Sequence, residues 1–156
     1  KYMKKMVVFD LDFTLIDSGH RTPHNKDGSV NIKKFLELAT PENIRKDTLL
    51  PLASEAKMMY NKGFYVVICT SRMMTQADYD FLEDNGIKYH ELLERNTTKH
   101  PYWRNLPDDE YKMKQLKKFR DIFYTFFDDN ESIIEKFSQY VNVKMVDAKK
   151  VHEIVK

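Results

Sequence analysis

The sequence predicts an α/β fold in which a mainly parallel five-stranded sheet lies between two layers of helices. Two observations carry that expectation. Short runs rich in Val, Ile and aromatic residues alternate with longer segments of helical periodicity. Those runs are apolar at consecutive positions, as strands buried on both faces are, and glycines stand where helices stop before strands.

In chain order, residues 4–10 (KKMVVFD) read as the first buried strand. Residues 49–63 read as a helix ending at Gly63, and 64–70 (FYVVICT) as the second strand. A helix over 75–86 ends at Gly86 and precedes a strand at 88–94. The segment 108–120 is helical, with Asp108 or its neighbour as cap, and leads to a strand at 122–128 (IFYTFFD). A helix at 131–140 and a last strand at 141–147 complete a Rossmann-like order, read as one domain over 1–156. Two stretches are irregular. Residues 17–48 hold Gly19, Pro23, Gly28 and Pro41 around one short helix near 31–39, and residues 95–107 hold Pro101 and Pro107 around Tyr102 and Trp103.

Composition narrows the class. A chain of 156 residues that is 42% hydrophobic is not disordered and needs no disulfide to fold. One cysteine, Cys69, fits a reducing compartment, and a net charge of +2 leaves nucleic-acid binding to a local patch only. The opening KYMKKMVVF places lysines before an apolar run, but Asp10 and Asp12 interrupt it too early for a secretory core. A cytoplasmic protein without membrane attachment is expected (host cytoplasm if phage-encoded).

The chemistry gathers at the carboxyl ends of the predicted strands, where parallel sheets bind ligands. Asp10, Asp12 and Thr14 follow the first strand, Thr70, Ser71 and Arg72 the second, and Asp128 and Asp129 the fourth. Lys112 lies on the helix before that fourth strand, and its nearest rival is Lys114. Several carboxylates with few histidines favour a hard cation such as Mg²⁺ over zinc. An aspartate can attack phosphorus, and a second can protonate the leaving oxygen and then activate water. A hydroxyl and an ammonium would hold the phosphoryl oxygens. Cys69 and Arg72 are too close in sequence for a cysteine phosphatase loop, so Cys69 reads as a strand residue.

The chain resembles the haloacid dehalogenase superfamily of phosphohydrolases: DLDFT matches its first motif, VVICTS its second, Lys112 its third and FFDD its fourth. Within the superfamily it is most similar to the 3'-phosphatase domain of bacteriophage polynucleotide kinase-phosphatases, over residues 6–147. Three details carry that closer likeness. Arg21 sits in GHRTP, TSR places Arg72, and Asp108 stands four residues before Lys112. The resemblance implies no large cap domain, Asp10 as nucleophile, and Asp12 as general acid/base whose backbone carbonyl also meets the metal. It implies Mg²⁺ ligation by Asp10, Asp12, Asp128 and Asp129, with Thr70 and Lys112 as catalytic partners. Thr14, Arg21, Ser71, Arg72 and Asp108 fall on the substrate side. Phe13 stands where the family commonly has glycine, and Ser71 replaces the glycine of the second motif. No G-x-x-x-x-G-K loop exists, so no kinase half is present in this sequence.

A phosphorylated nucleic acid or a nucleotide is the expected substrate. The short chain leaves no room for a large lid, and an open pocket suits the end of a polynucleotide. Lys114, Lys117 and Lys118 could track neighbouring phosphates, and HPYWR (100–104) could stack a base. A nucleic-acid 3'-phosphatase is therefore the favoured reading, with a nucleoside monophosphate phosphatase next and a non-catalytic binding module last. Closure of the 17–48 segment over the pocket would favour the small substrate.

Overall fold

Four consecutive apolar residues, Met6–Phe9, form β1, and all four are buried because helices cover both faces of the sheet. The computed structural model describes residues 5–155, so Lys4, where the first strand was predicted to begin, lies outside the described residues. After β1 come β2 (Ile16–Asp17), α1 (Ile32–Leu38), α2 (Pro41–Arg45), β3 (Thr48–Leu49), α3 (Leu52–Asn61), β4 (Tyr65–Cys69) and α4 (Gln76–Asp84). The chain continues through β5 (Glu91–Leu93), α5 (Asp108–Leu116), β6 (Tyr124–Asp128), α6 (Glu131–Phe137), β7 (Val143–Asp147) and α7 (Ala148–Val155). Five strands make one sheet in the order β5-β4-β1-β6-β7, every pair parallel. The chain first steps from β1 towards β4 and β5, then crosses to β6 and β7 on the other side. That reversal at β1 opens a crevice beside its carboxyl end.

Alternation along β1 divides the core. Val7 and Phe9 face a cluster with Leu52, Ala53 and Ala56 of α3 and Phe81 and Leu82 of α4. Met6 and Val8 face the opposite cluster, with Leu116 of α5 and Ile133 and Phe137 of α6. Gly63 and Gly86 take left-handed backbone (φ 91° and 70°) just past α3 and α4, where a side chain would be strained.

The expected helices and strands are present with shorter ends: the helix read as 108–120 is α-helical only to Leu116 and then tightens into a 3₁₀ turn. Its cap is Pro107, with no side-chain cap bond, and Asp108 is its first residue. Three elements were not anticipated. They are α7, α2 and the two-residue β2–β3 pair, which closes the base of the 17–48 excursion. Among the described residues no helix is long and apolar enough to cross a membrane.

Phe9 and Phe127 stack across β1 and β6 at 4.9 Å between ring centroids, directly beneath the strand ends. Phe9→Ala should lower unfolding free energy by about 3–5 kcal/mol, read from urea midpoints at unchanged slope.

Candidate active site

Parallel register sets Asp10 level with Asp128, because Phe9 pairs with Phe127, and the Asp10 amide donates to the Phe127 carbonyl at 2.9 Å. Directly after Asp10 the chain turns tightly: the amides of Leu15 and Ile16 both donate to the Leu11 carbonyl. Phe13 holds φ 62° in this turn, a left-handed conformation that costs a side-chain-bearing residue about 1 kcal/mol or more. That geometry accounts for glycine at the matching family position.

Lys112 reaches across from α5. Its Nζ donates to Asp10 Oδ1 and to Asp128 Oδ2, each at 2.8 Å, and the side chain is buried. Thr14 Oγ1 donates to the other Asp10 oxygen at 3.2 Å. Lys114, by contrast, is exposed and lies over the Tyr102 ring. Carboxylate oxygens of Asp10, Asp128 and Asp129 come within 4.8 Å of one another. Burial pushes the Asp10 carboxyl up to about 7 against the pull of Lys112, with Asp129 adding to the rise. Burial and then Asp10 raise Asp128 to about 6. Burial likewise raises Asp129. Crowded oxygens that resist ionisation are the donor set a hard divalent cation satisfies, so these three residues fit Mg²⁺. The Asp12 side chain is not in this cluster; the metal contact expected of it is through its backbone carbonyl.

Asp12 turns instead to Arg72, whose Nε and Nη2 donate to its two oxygens at 2.7 and 2.6 Å. Ser18 Oγ donates to Asp12 as well, at 2.6 Å. Burial raises the Asp12 carboxyl, but the Arg72 guanidinium outweighs it and holds Asp12 below the usual carboxylate range. Arg72 also donates to Asp78 at 2.6 Å and lies 3.5 Å from Asp47. Asp78 simultaneously closes the Thr75 capping box of α4.

Arg21 is 2% exposed and spends two donors on Asp47, at 2.9 Å each, while His20 Nε2 lies 2.8 Å from the same carboxylate. The 17–48 segment is thereby pinned at Asp47 to Arg72 and the second strand end. Thr70 is fully buried, its Oγ1 accepting from the Arg72 amide, which leaves its hydroxyl proton unassigned. Ser71 Oγ is buried without a partner among the described residues. Asp108 pairs with Arg95 at 2.7 Å, and Arg95 also donates to the carbonyls of Trp103 and Leu106, tying the 95–107 segment to the start of α5.

Burial pushes the Cys69 thiol up to about 12, so it stays a thiol. Trp103 is buried against His100 and Tyr111, leaving Tyr102 as the exposed ring of its loop. Lys118 pairs with Glu91. Sequence reasoning overlooked Asp47, Asp78, Ser18 and Arg95. Of these only Asp78 carried a local signal, the T-x-x-D spacing of a capping box.

The family described as bacteriophage T5 5'-deoxynucleotidase matches residues 1–156. The chain belongs to that family. The 5'-deoxynucleotidase of Escherichia phage T5 is 25% identical over 176 residues, covering 99% of this chain and 71% of its own length. Among solved structures, a chain of the Pnkp1/Rnl/Hen1 complex superposes with a TM-score of 0.67 at 22% identity, over 93% of this chain and 46% of that one. This chain thus spans less than half of that protein. A haloacid-dehalogenase-superfamily hydrolase from Geobacter sulfurreducens superposes at 0.59 and 14% identity, over 92% and 86% of the two chains. Likeness at these identities is one of fold. This chain thus has the haloacid-dehalogenase fold and is a hydrolase of the phosphatase type.

Asp47 should be a strong stability determinant. Asp47→Ala leaves Arg21 buried and unpaired and should cost about 3–5 kcal/mol, whereas Arg21→Met with Asp47→Leu should recover much of that loss. Chemical denaturation of wild type, Asp47→Leu, Arg21→Met and the double variant measures the coupling.

Proposed function

We propose that the protein hydrolyses the phosphate monoester of 5'-deoxynucleoside monophosphates through a phospho-Asp10 intermediate. The observation that carries the chemistry is the meeting of Asp10, Asp128, Asp129 and Lys112 at one strand edge. Two observations favour the mononucleotide over a polynucleotide end. The family match spans the whole chain, and the 17–48 segment, braced internally by the buried Arg21–Asp47 pair, is tied to the site by Arg72–Asp47 and Ser18–Asp12 contacts. The order of preference given by the sequence alone is therefore reversed.

In this reading an Asp10 oxygen attacks phosphorus, the ester P–O bond breaks, and the departing 5'-oxygen takes a proton from Asp12. Water then attacks the phospho-aspartate as Asp12 accepts its proton, breaking the bond to Asp10 and releasing inorganic phosphate. Lys112 and the Thr70 hydroxyl hold phosphoryl oxygens in this reading, and the Ser71 hydroxyl, which has no partner of its own among the described residues, joins them. Arg72 keeps Asp12 ionised at rest. A substrate dianion competing for that guanidinium would free Asp12 to take up its proton. Arg21 acts through Asp47, holding the segment and Arg72 in place. Asp108 acts through Arg95, keeping the start of α5 in position for Lys112. Asp10, Asp128 and Asp129, with the Asp12 carbonyl, would hold Mg²⁺, which when bound offsets negative charge at the transferred group.

Asp10→Asn keeps size and removes the attacking charge, so turnover of 5'-dTMP should fall by about three orders of magnitude or more in a steady-state phosphate-release assay. Chelator should abolish wild-type activity and Mg²⁺ restore it, while excess Ca²⁺, with longer bonds and more ligands, should inhibit. A panel of 5'- and 3'-mononucleotides and a 3'-phosphorylated oligonucleotide should give the highest kcat/KM for the 5'-deoxynucleotides. A preference for the oligonucleotide would replace this reading with the 3'-phosphatase one.

A further inference from the structure

A cavity of about 540 Å³ lies between α5 and α6, at the end of the sheet away from the catalytic aspartates. Tyr124 and Val143, which open β6 and β7, line it, whereas Asp128 closes β6. Tyr124 and Asp128 are the two ends of β6, about 13 Å apart along the strand. Its floor is apolar, formed by Leu116, Phe137 and Met113, and the Tyr140 hydroxyl donates to Met113 Sδ at 3.1 Å. Around this floor stand Lys114, Lys117 and Arg120 from the α5 end and Lys136 from α6, against one lining carboxylate, Glu110. Four cations less one carboxylate leave the lining with a net charge of +3, or +2 with Asp109, which lies 3.4 Å from Lys136.

A run of lysines on a helix is ordinarily a solvated face, and here Lys118 behaves so, paired with Glu91. Lys117 and Arg120 differ. They make no ion pair among the described residues and edge a concave apolar cavity, of a size that small-molecule sites have. A ligand that satisfies both halves carries several negative charges and a flat apolar ring. We infer that this cavity is a second nucleotide site, for a nucleoside triphosphate whose base lies against Met113 and Tyr140 and whose phosphates meet Lys114, Lys117 and Arg120, with Lys136 shared with Asp109. The site does not depend on the hydrolytic reading, although its ligand would touch the helix that holds Lys112.

Calorimetric titration of the whole protein with dATP, in chelator so that turnover is silent, tests this without any activity readout. The expected result is one dATP per chain, with unchanged affinity in Asp10→Asn and affinity lowered by about ten-fold or more in the double variant Lys117→Gln, Arg120→Gln. Both substituted side chains are exposed, so the double variant should keep its melting temperature and its kcat/KM for an aryl phosphate. Binding that survives the double variant but is lost in Asp10→Asn, or is displaced by inorganic phosphate, would place dATP in the catalytic pocket and overturn the inference. So would no binding of dATP, or binding of a single-stranded oligonucleotide alone, which would make the cavity part of a polynucleotide track.

Discussion

Three aspartates at a buried sheet edge are unstable neighbours, and the rest of this molecule is organised around the cation that reconciles them. Lys112 comes from a point 102 residues beyond Asp10, yet its ammonium lies within hydrogen-bond distance of both Asp10 and Asp128. That placement requires α5 to be held firmly, and it is held from several sides. The Tyr111 hydroxyl donates to the Thr70 carbonyl at 2.8 Å, the Arg95 guanidinium lies 4.4 Å over the Tyr111 ring, and Leu116 anchors the helix in the core. The 95–107 segment thus has a structural reason to be irregular: it folds back so that its carbonyls and Asp108 can all reach one arginine.

A second set of charges surrounds the first without merging with it. Arg72 links the end of β4 to Asp12, to the cap of α4 through Asp78, and to the 17–48 excursion through Asp47. Buried pairs of this kind add little net stability over an apolar replacement, but breaking one partner leaves a stranded charge. Their value lies in geometry. One guanidinium fixes the direction of the Asp12 carboxylate and ties it to the 17–48 segment.

What the sequence made legible follows from burial and spacing. β1, β4 and β6 were readable because strands covered on both faces need unbroken apolar runs, and the meeting of Asp10, Asp128 and Asp129 was readable because they sit at those runs' ends. β2 and β3 were not, since two residues have no periodicity. α7 did carry a signal, Ala148, Val151 and Val155 at helical spacing among charged residues, but a segment of eight residues directly after a strand was short enough to be passed over. For α2 the signal was present, a Thr40 cap followed by Pro41, but the surrounding prolines and glycines made the stretch look irregular. Asp47 was invisible for a deeper reason. Nothing within its own neighbourhood distinguishes it from other surface-type acids, because its partners Arg21 and Arg72 lie 26 and 25 residues away.

The pairing of Ile16 with Leu49 and Asp17 with Thr48 brings together the two ends of the segment that frames the pocket. A segment whose ends already meet is a module. Its interior can be lengthened, shortened or exchanged at a loop-closure penalty that grows only logarithmically with length, and without displacing Asp10. A redesigned stretch between Pro23 and Ala39, which spares the Arg21–Asp47 pair and buried Ile44, could be exchanged in while the carboxylates, Lys112 and the sheet beneath them stay as they are.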